Sequence, residues 1–518
     1  MSTDASPETA RTDEMARVVG GVLDVPLPVD KWDVPLAAMG LDSLAVVELQ
    51  EACERAFGVK VPIPTLATGI SLRELSELVG SGSRRTEPDA RPPTWTASSH
   101  VKYPSEHGNE FAYPSEGWTR TPDQVADIAA AAERLPKTIE CMERLYERGD
   151  HPGAQLHVAV DGVPVASVAY GMAESNRPLS TSHLIPWLCS AKPLYSVAFG
   201  QLWERGLLSP DAPVSQVLPD FGKHGKERIT FAHLLSHSSG IHPDPLYGHW
   251  DESREQMFDV ICRHELPEDA WPGLNATYSG LWAWFVLAEA IEAVDGREAS
   301  QYVQEEILAP LGVQVFQYPT REVFAEIRHQ ISPLWQLPPY SRPFGLFASA
   351  DDFARRLPGV NVLGSAESIA RIYEVLLPSL ASPIITRPTA DAIIAPRRHG
   401  YYDPHYSKFI SYGLGVVSEG WYWGPYCSPR TFGHQGNFTN FIVADGKHNM
   451  VIACLTNGMR DSSRDGDVVN CVYEDLGFDT QPMHTSKITR IEPEQDPTWV
   501  RQAEDEHYFW GDPSARER

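Results

Sequence analysis

Two residues three places apart, Cys189 and Lys192 in the stretch WLCSAKPLYS (187–196), carry the groups that covalent catalysis needs. A free thiol ionises near ~8.5, and a neighbouring ammonium or helix N-terminus draws it toward thiolate. On a helix, residues i and i+3 share a face, so Cys189 and Lys192 look the same way. Ser190 points about 200° from Lys192, at roughly 100° per residue. The spacing selects Cys189 as candidate nucleophile and makes Ser190 a poor one. Lys192 can hold the charge of a thiolate, or act as base if burial lowers its own pKa. A literal Ser-x-x-Lys, Ser99 to Lys102, stands in a Pro- and Ser-rich stretch with no other motif to support it.

The surrounding composition keeps that thiol available. The seven cysteines, at 53, 141, 189, 262, 427, 454 and 471, are scattered with no CxxC or His/Cys ligand spacing, which reads as free thiols in a reducing cytoplasm and no zinc site. The chain has 518 residues and a net charge of -26. That charge argues against nucleic acid and against anionic membranes as partners. The start, MSTDASPETARTDEMARVV, is polar and acidic, so no signal peptide is expected. No run of ~18 apolar residues predicts a membrane span.

The elements fall into a multidomain order. Residues 1–83 read as short amphipathic helices, among them SLAVVELQEACERAFG with Asp42 or Ser43 as cap, and SLRELSELVG with a Ser cap and a Gly end. Residues 84–121 are rich in Pro, Ser and Gly and read as a linker whose aromatic patches dock on a neighbour; if flexible it would span roughly 30–35 Å. From 122 to 481, a long helical pattern (TPDQVADIAAAAERLPKTIECMERLYERG) precedes AQLHVAVDGVPVASVAYG, two strands about an Asp-Gly turn. More helices follow, then strands return in FGHQGNFTNFIVADGKHNMVIACLTNG. This order predicts an α+β domain, an antiparallel sheet flanked by helices with a helical subdomain. Residues 482–518 form a charged tail.

The stretch MGLDSLAVVELQEACERAFGVKVP, with Gly40-Leu41-Asp42-Ser43-Leu44 opening a helix, resembles the acyl and peptidyl carrier proteins of polyketide and nonribosomal peptide assembly lines. The resemblance implies an all-α four-helix bundle and a 4′-phosphopantetheine arm on Ser43, attached by a phosphopantetheinyl transferase and loaded by an adenylation, ligase or synthase partner. A helix N-terminus suits the phosphodiester of such an arm. Thirteen Asp/Glu against six Lys/Arg in residues 1–83 suit docking on basic partner surfaces.

The stretch WLCSAKPLYSVAFGQLWERG resembles the nucleophile helix of the class C β-lactamase, DD-peptidase and esterase superfamily, with Cys189 in place of its Ser. ITFAHLLSHSSGI, WPGLNATYSGLWAWFVLAEAIEAVDG, PFGLFASADDFARRL and the His434-Gln435-Gly436 strand follow in that superfamily's order. The resemblance implies that Tyr278 shuttles protons, that backbone N–H groups of Cys189 and Asn437 form the oxyanion hole, and that His434 orients substrate or assists proton transfer. Two departures bear on substrate. Gly280 stands where the family's Tyr-x-Asn has Asn, and His434 where β-lactamases have Lys. A contact to a peptide-like amide and a fixed charge for a carboxylate are therefore absent.

A carrier delivers a thioester, and a cysteine that accepts it forms another, so the first step is roughly isoenergetic. The expectation is an acyltransferase of natural-product (antibiotic) biosynthesis, like the lovastatin-type acyltransferases with the carrier fused. It would move an acyl or aminoacyl group to Cys189, then to an amine, hydroxyl or carrier thiol of a small-molecule or carrier acceptor. The alternatives are a thioesterase that releases the acid, and a carrier fused to an inactive scaffold.

Overall fold

The computed structural model describes residues 14–20, 70–80, 110–114 and 120–480, with scattered positions between 22 and 66; within 120–480 it leaves out 243, 247–248, 269, 338–340, 404–407, 437–438 and 460–464. Ser43, Ser99, Lys102, Asn437 and the tail from 482 lie outside the described residues. The chain divides into two compact units, Met1–Thr94 with Pro243–Val260, and Trp95–His242 with Ile261–Arg518.

In the first unit, residues 14–20 are helical and helix α1 spans Leu72–Gly80. Ser71 is its cap, as the sequence predicts. The Glu74 N–H donates to Ser71 Oγ at 3.3 Å and the Ser71 N–H to Glu74 Oε2 at 2.8 Å, a reciprocal capping box. Met15, Val19, Leu36, Leu66, Leu72 and Leu75 are fully buried. The expected count of four helices rests partly on residues outside the described ones.

In the second unit, the pattern read as one long helix is two, α2 (Pro122–Ala132) and α3 (Pro136–Glu147). Pro136 explains the break: it has no N–H to donate within a helix, and at the first position of α3 none is needed. Six strands follow: β1 (Gly153–Val160), β2 (Val163–Glu174), β3 (Arg177–Pro178), β4 (Thr431–Gly436), β5 (Asn440–Asp445) and β6 (Met450–Thr456). They form one antiparallel sheet in the order β4-β5-β6-β1-β2-β3, the α+β arrangement the element order predicts. The Asp-Gly turn lies where expected. Asp161 and Gly162 have φ of +51° and +73°, both left-handed, as a two-residue hairpin whose twist matches its strands requires.

Further helices include α4 (Lys192–Glu204), α5 (Phe231–Leu235), α6 (Trp282–Asp295), α7 (Ala366–Glu374) and α8 (Asp465–Asp475). On one sheet face Ile128, Met142 and Leu145 from α2 and α3 join Val469 and Val472 from α8 over Leu156, Val168, Val443 and Ile452 in one buried cluster. Each such side chain stabilises the fold by about 1.5–3 kcal/mol. Helix α7 packs on β1, β5 and β6.

Part of the expected linker is packed. The Phe111 ring lies 3.8 Å under the Arg328 guanidinium and near Phe324 and Phe353, and Tyr113 meets Trp335 edge-on at 5.2 Å. The Ala112 N–H donates to Glu174 Oε1 at 2.9 Å. The aromatic patches supply the apolar surface that makes this strap adhere, as their composition suggests.

Candidate active site

The motif that opens the sequence straddles a junction. Leu188–Ala191 is a 3-10 turn, and α4 begins at Lys192. In a 3-10 turn residues i and i+3 eclipse, so Cys189 and Lys192 keep the shared face expected of an α-helix. The turn is pinned from several sides. The Trp187 N–H donates to Val362 O at 2.8 Å, its indole N–H to Gly364 O at 3.0 Å, and the Tyr373 hydroxyl to Ser190 O at 3.1 Å. Leu188 holds a left-handed φ of +51°, a strained state for a branched residue that only firm packing maintains.

Cys189 and Ser190 differ in what holds them. Ser190 is buried, and its hydroxyl donates to Asn440 Oδ1 at 2.6 Å and approaches His434 O at 3.3 Å. That hydroxyl ties the turn to β4 and β5. Cys189 is half-buried, a free thiol within the turn. Gly436 lets β4 come this close: a Cβ there would sit 2.3 Å from Asn440 Oδ1 and 2.6 Å from Trp187 O.

Lys192 is fully buried. It donates to Gly280 O at 2.7 Å and lies over the Tyr278 and Trp284 rings, 5.5 and 4.8 Å from their centroids. Aromatic faces and a carbonyl dipole compensate a buried cation. Gly280, which lacks the amide of the family pattern, thus contributes its backbone carbonyl. The Trp284 indole donates to Lys192 O at 3.0 Å, fixing the start of α4 against α6.

His434 sits on β4, wholly buried, 6.2 Å from Tyr278 and 6.3 Å from Tyr412 between ring centroids. Its Nδ1 lies 2.8 Å from Gln435 O, which can only accept, so Nδ1 carries the proton. Nε2 is then a bare lone pair with no partner among the described residues. Burial, and next the Lys192 charge, pull its pKa down to about 3. His434 is a neutral acceptor and a poor base at neutral pH.

The structure brings Lys192, Tyr278 and His434 near one another, with Cys189 on the turn that leads into Lys192, while Asn437 and Ser43 lie outside the described residues. Sequence reasoning missed Asn440, which anchors Ser190, and His237, whose ring packs on Tyr278 at 4.3 Å. His237 stood within LLSHSSG, but only its contacts single it out. Among the described residues no cluster of His, Cys, Asp and Glu could hold a metal ion.

An antiparallel sheet with helices on its faces and the Leu188–Ala191 turn packed against its β4 edge define the class, and residues 138–470 match the Beta-lactamase family. The chain belongs to that family. Residues 13–79 match the phosphopantetheine attachment site, which implies a covalently attached 4′-phosphopantetheine on a serine; Ser43 lies in that span. The N-acetylmuramyl-L-alanine amidase of Bacillus subtilis is 24% identical over 70% of this chain and 89% of its own length. Esterase/beta-lactamase LipL of Mycobacterium tuberculosis is 25% identical, over 36% of this chain and 43% of its own. Among solved structures, EstCE1, a hydrolase with promiscuous acyltransferase activity, superposes with a TM-score of 0.55 at 19% identity, covering 68% of this chain and 99% of its own. A penicillin-binding protein homologue from Caulobacter crescentus gives 0.56 at 22%, covering 66% and 98%. At these identities the solved structures establish the fold.

Proposed function

We propose that this protein is a cysteine-dependent acyltransferase acting on carrier-bound acyl groups in natural-product biosynthesis. When bound, the phosphopantetheine group supplies an acyl chain activated as a thioester. The Cys189 sulfur attacks and bonds to the acyl carbon, the bond from that carbon to the donor's own sulfur breaks, and that departing thiolate takes a proton through Tyr278. Lys192, charged in its aromatic cage, favours the Cys189 thiolate. Backbone N–H groups of Cys189 and Asn437 receive the developing oxyanion. An acceptor amine, hydroxyl or thiol then attacks the Cys189 thioester, its proton leaves, and the thiol is regenerated.

The observation that carries this reading is the contrast at the turn: Ser190 is buried with its hydroxyl spent on Asn440, while Cys189 is half-buried beside Lys192. The phosphopantetheine match gives that thiol a thioester donor. His434, neutral and bare at Nε2, suits an uncharged donor group of substrate rather than a carboxylate. A thioesterase is the second reading, favoured by the esterase-like relatives. Products separate the two. An acyl-loaded chain given amine and alcohol acceptors yields amide or ester if it is a transferase, and free acid alone excludes transfer to them.

A further inference from the structure

We infer that His237 is a positioning residue that holds Tyr278 in register with Lys192. Three contacts bracket one residue. The Thr277 N–H donates to His237 O at 3.0 Å, the Ser279 N–H donates to His237 Nδ1 at 3.1 Å, and the His237 and Tyr278 rings lie 4.3 Å apart at 34°. The residues before and after Tyr278 are thus tied to the two ends of one histidine, and the Tyr278 ring rests on its face. On the far side, Gly280 O accepts from Lys192. The segment Thr277-Tyr278-Ser279-Gly280 is clipped between His237 and Lys192.

Second contacts fix the histidine itself. The Arg398 guanidinium donates to His237 O at 2.8 Å and pairs with buried Asp403, also at 2.8 Å. Trp284 stacks on the other part of the His237 ring at 5.0 Å, and Tyr412 closes it edge-on at 4.8 Å. Trp284 and Tyr278 are the two walls of the Lys192 cage, so one ring aligns both. A backbone N–H can only donate; Nδ1 is therefore the acceptor and the ring proton sits on Nε2. His237 has a left-handed φ of +54°, a strained state kept where the surroundings over-determine it.

This role rests on the proposed Tyr278 chemistry, and the test separates the two. The probe is a soluble thioester, hexanoyl-N-acetylcysteamine, with turnover referred to Cys189 titrated by alkylation. His237→Phe keeps the ring face and removes the Nδ1 acceptor. Per titrated Cys189, its kcat should fall on the order of 10- to 100-fold with KM within about threefold, as a misplaced proton shuttle costs. His237→Asn restores an acceptor at the Nδ1 position and suits a left-handed φ, and should return kcat to within about threefold. His237→Gln sets its oxygen at the Nε2 position and should stay impaired; it serves if the Phe variant does not fold. In a Tyr278→Phe background the His237 substitutions should cost less than about twofold, because the group they position is gone. Wild-type kcat in folded His237→Phe and His237→Gln, an Asn variant as impaired as Gln, or full additivity with Tyr278→Phe would overturn the positioning role. A Tyr278→Phe protein with wild-type turnover would instead remove the catalytic reading of Tyr278.

Discussion

At the scale of single residues, the site turns on which of two adjacent side chains is free to react. Ser190→Ala deletes a buried hydroxyl and strands Asn440 Oδ1, so it should cost about 1–3 kcal/mol of stability. Alkylation of Cys189 should persist in it. Denaturant titration and mass-resolved alkylation check both outcomes, and loss of alkylation in a folded Ser190→Ala chain would contradict the assignment. The positions of Cys189 and Lys192 were legible from residue type and spacing, and those of Tyr278 and His434 from the family resemblance; the structure sets Lys192, Tyr278 and His434 near one another. Asn440, Arg398 and His237 were not, since their parts depend on which distant strand or turn they meet. The surroundings of Lys192, the Tyr278–Trp284 cage and Gly280 O, were likewise not readable before the fold was in hand.

At the scale of elements, the Leu188–Ala191 turn keeps its place because β4 approaches it closely. Gly436→Ala would drive a methyl group against Trp187 O and Asn440, a backbone and a committed side chain. It should destabilise the protein by about 1–3 kcal/mol and lower turnover more than KM. Calorimetry beside steady-state kinetics reads both, and unchanged values in each would remove the argument for close approach. The hairpin was readable in advance from Asp161-Gly162, whose chemistry is local. The split at Pro136 was equally local, though the apolar period running through residues 122–149 masked it. The strap at 110–114 illustrates the opposite limit: its aromatics indicated docking, but only Arg328, Phe324 and Phe353 show where.

At the scale of the whole molecule, buried neutral histidines make stability depend on pH. His434 is depressed to about 3 by burial and by Lys192, and His183 to about 4 by burial and by Arg177. An unfolded histidine titrates near ~6.5, so between these values the unfolded chain binds more protons. The contribution is full above about pH 6.5 and is lost progressively as pH falls toward the folded values. Urea midpoints should therefore decline below that pH, and His434→Gln should flatten the decline; an identical slope would contradict the burial argument. The fold of the larger unit was legible from its element order, whereas transfer chemistry rests on the pairing of a phosphopantetheine attachment region with a cysteine at the nucleophile turn. The most direct test of that pairing is intact-protein and peptide mass spectrometry after incubation with hexanoyl-N-acetylcysteamine. One hexanoyl group should appear on Cys189 in the wild type and none at that turn in Cys189→Ala, and adding acceptor should discharge it. A hexanoyl group on Ser190, or undiminished acyl transfer by Cys189→Ala, would contradict that pairing.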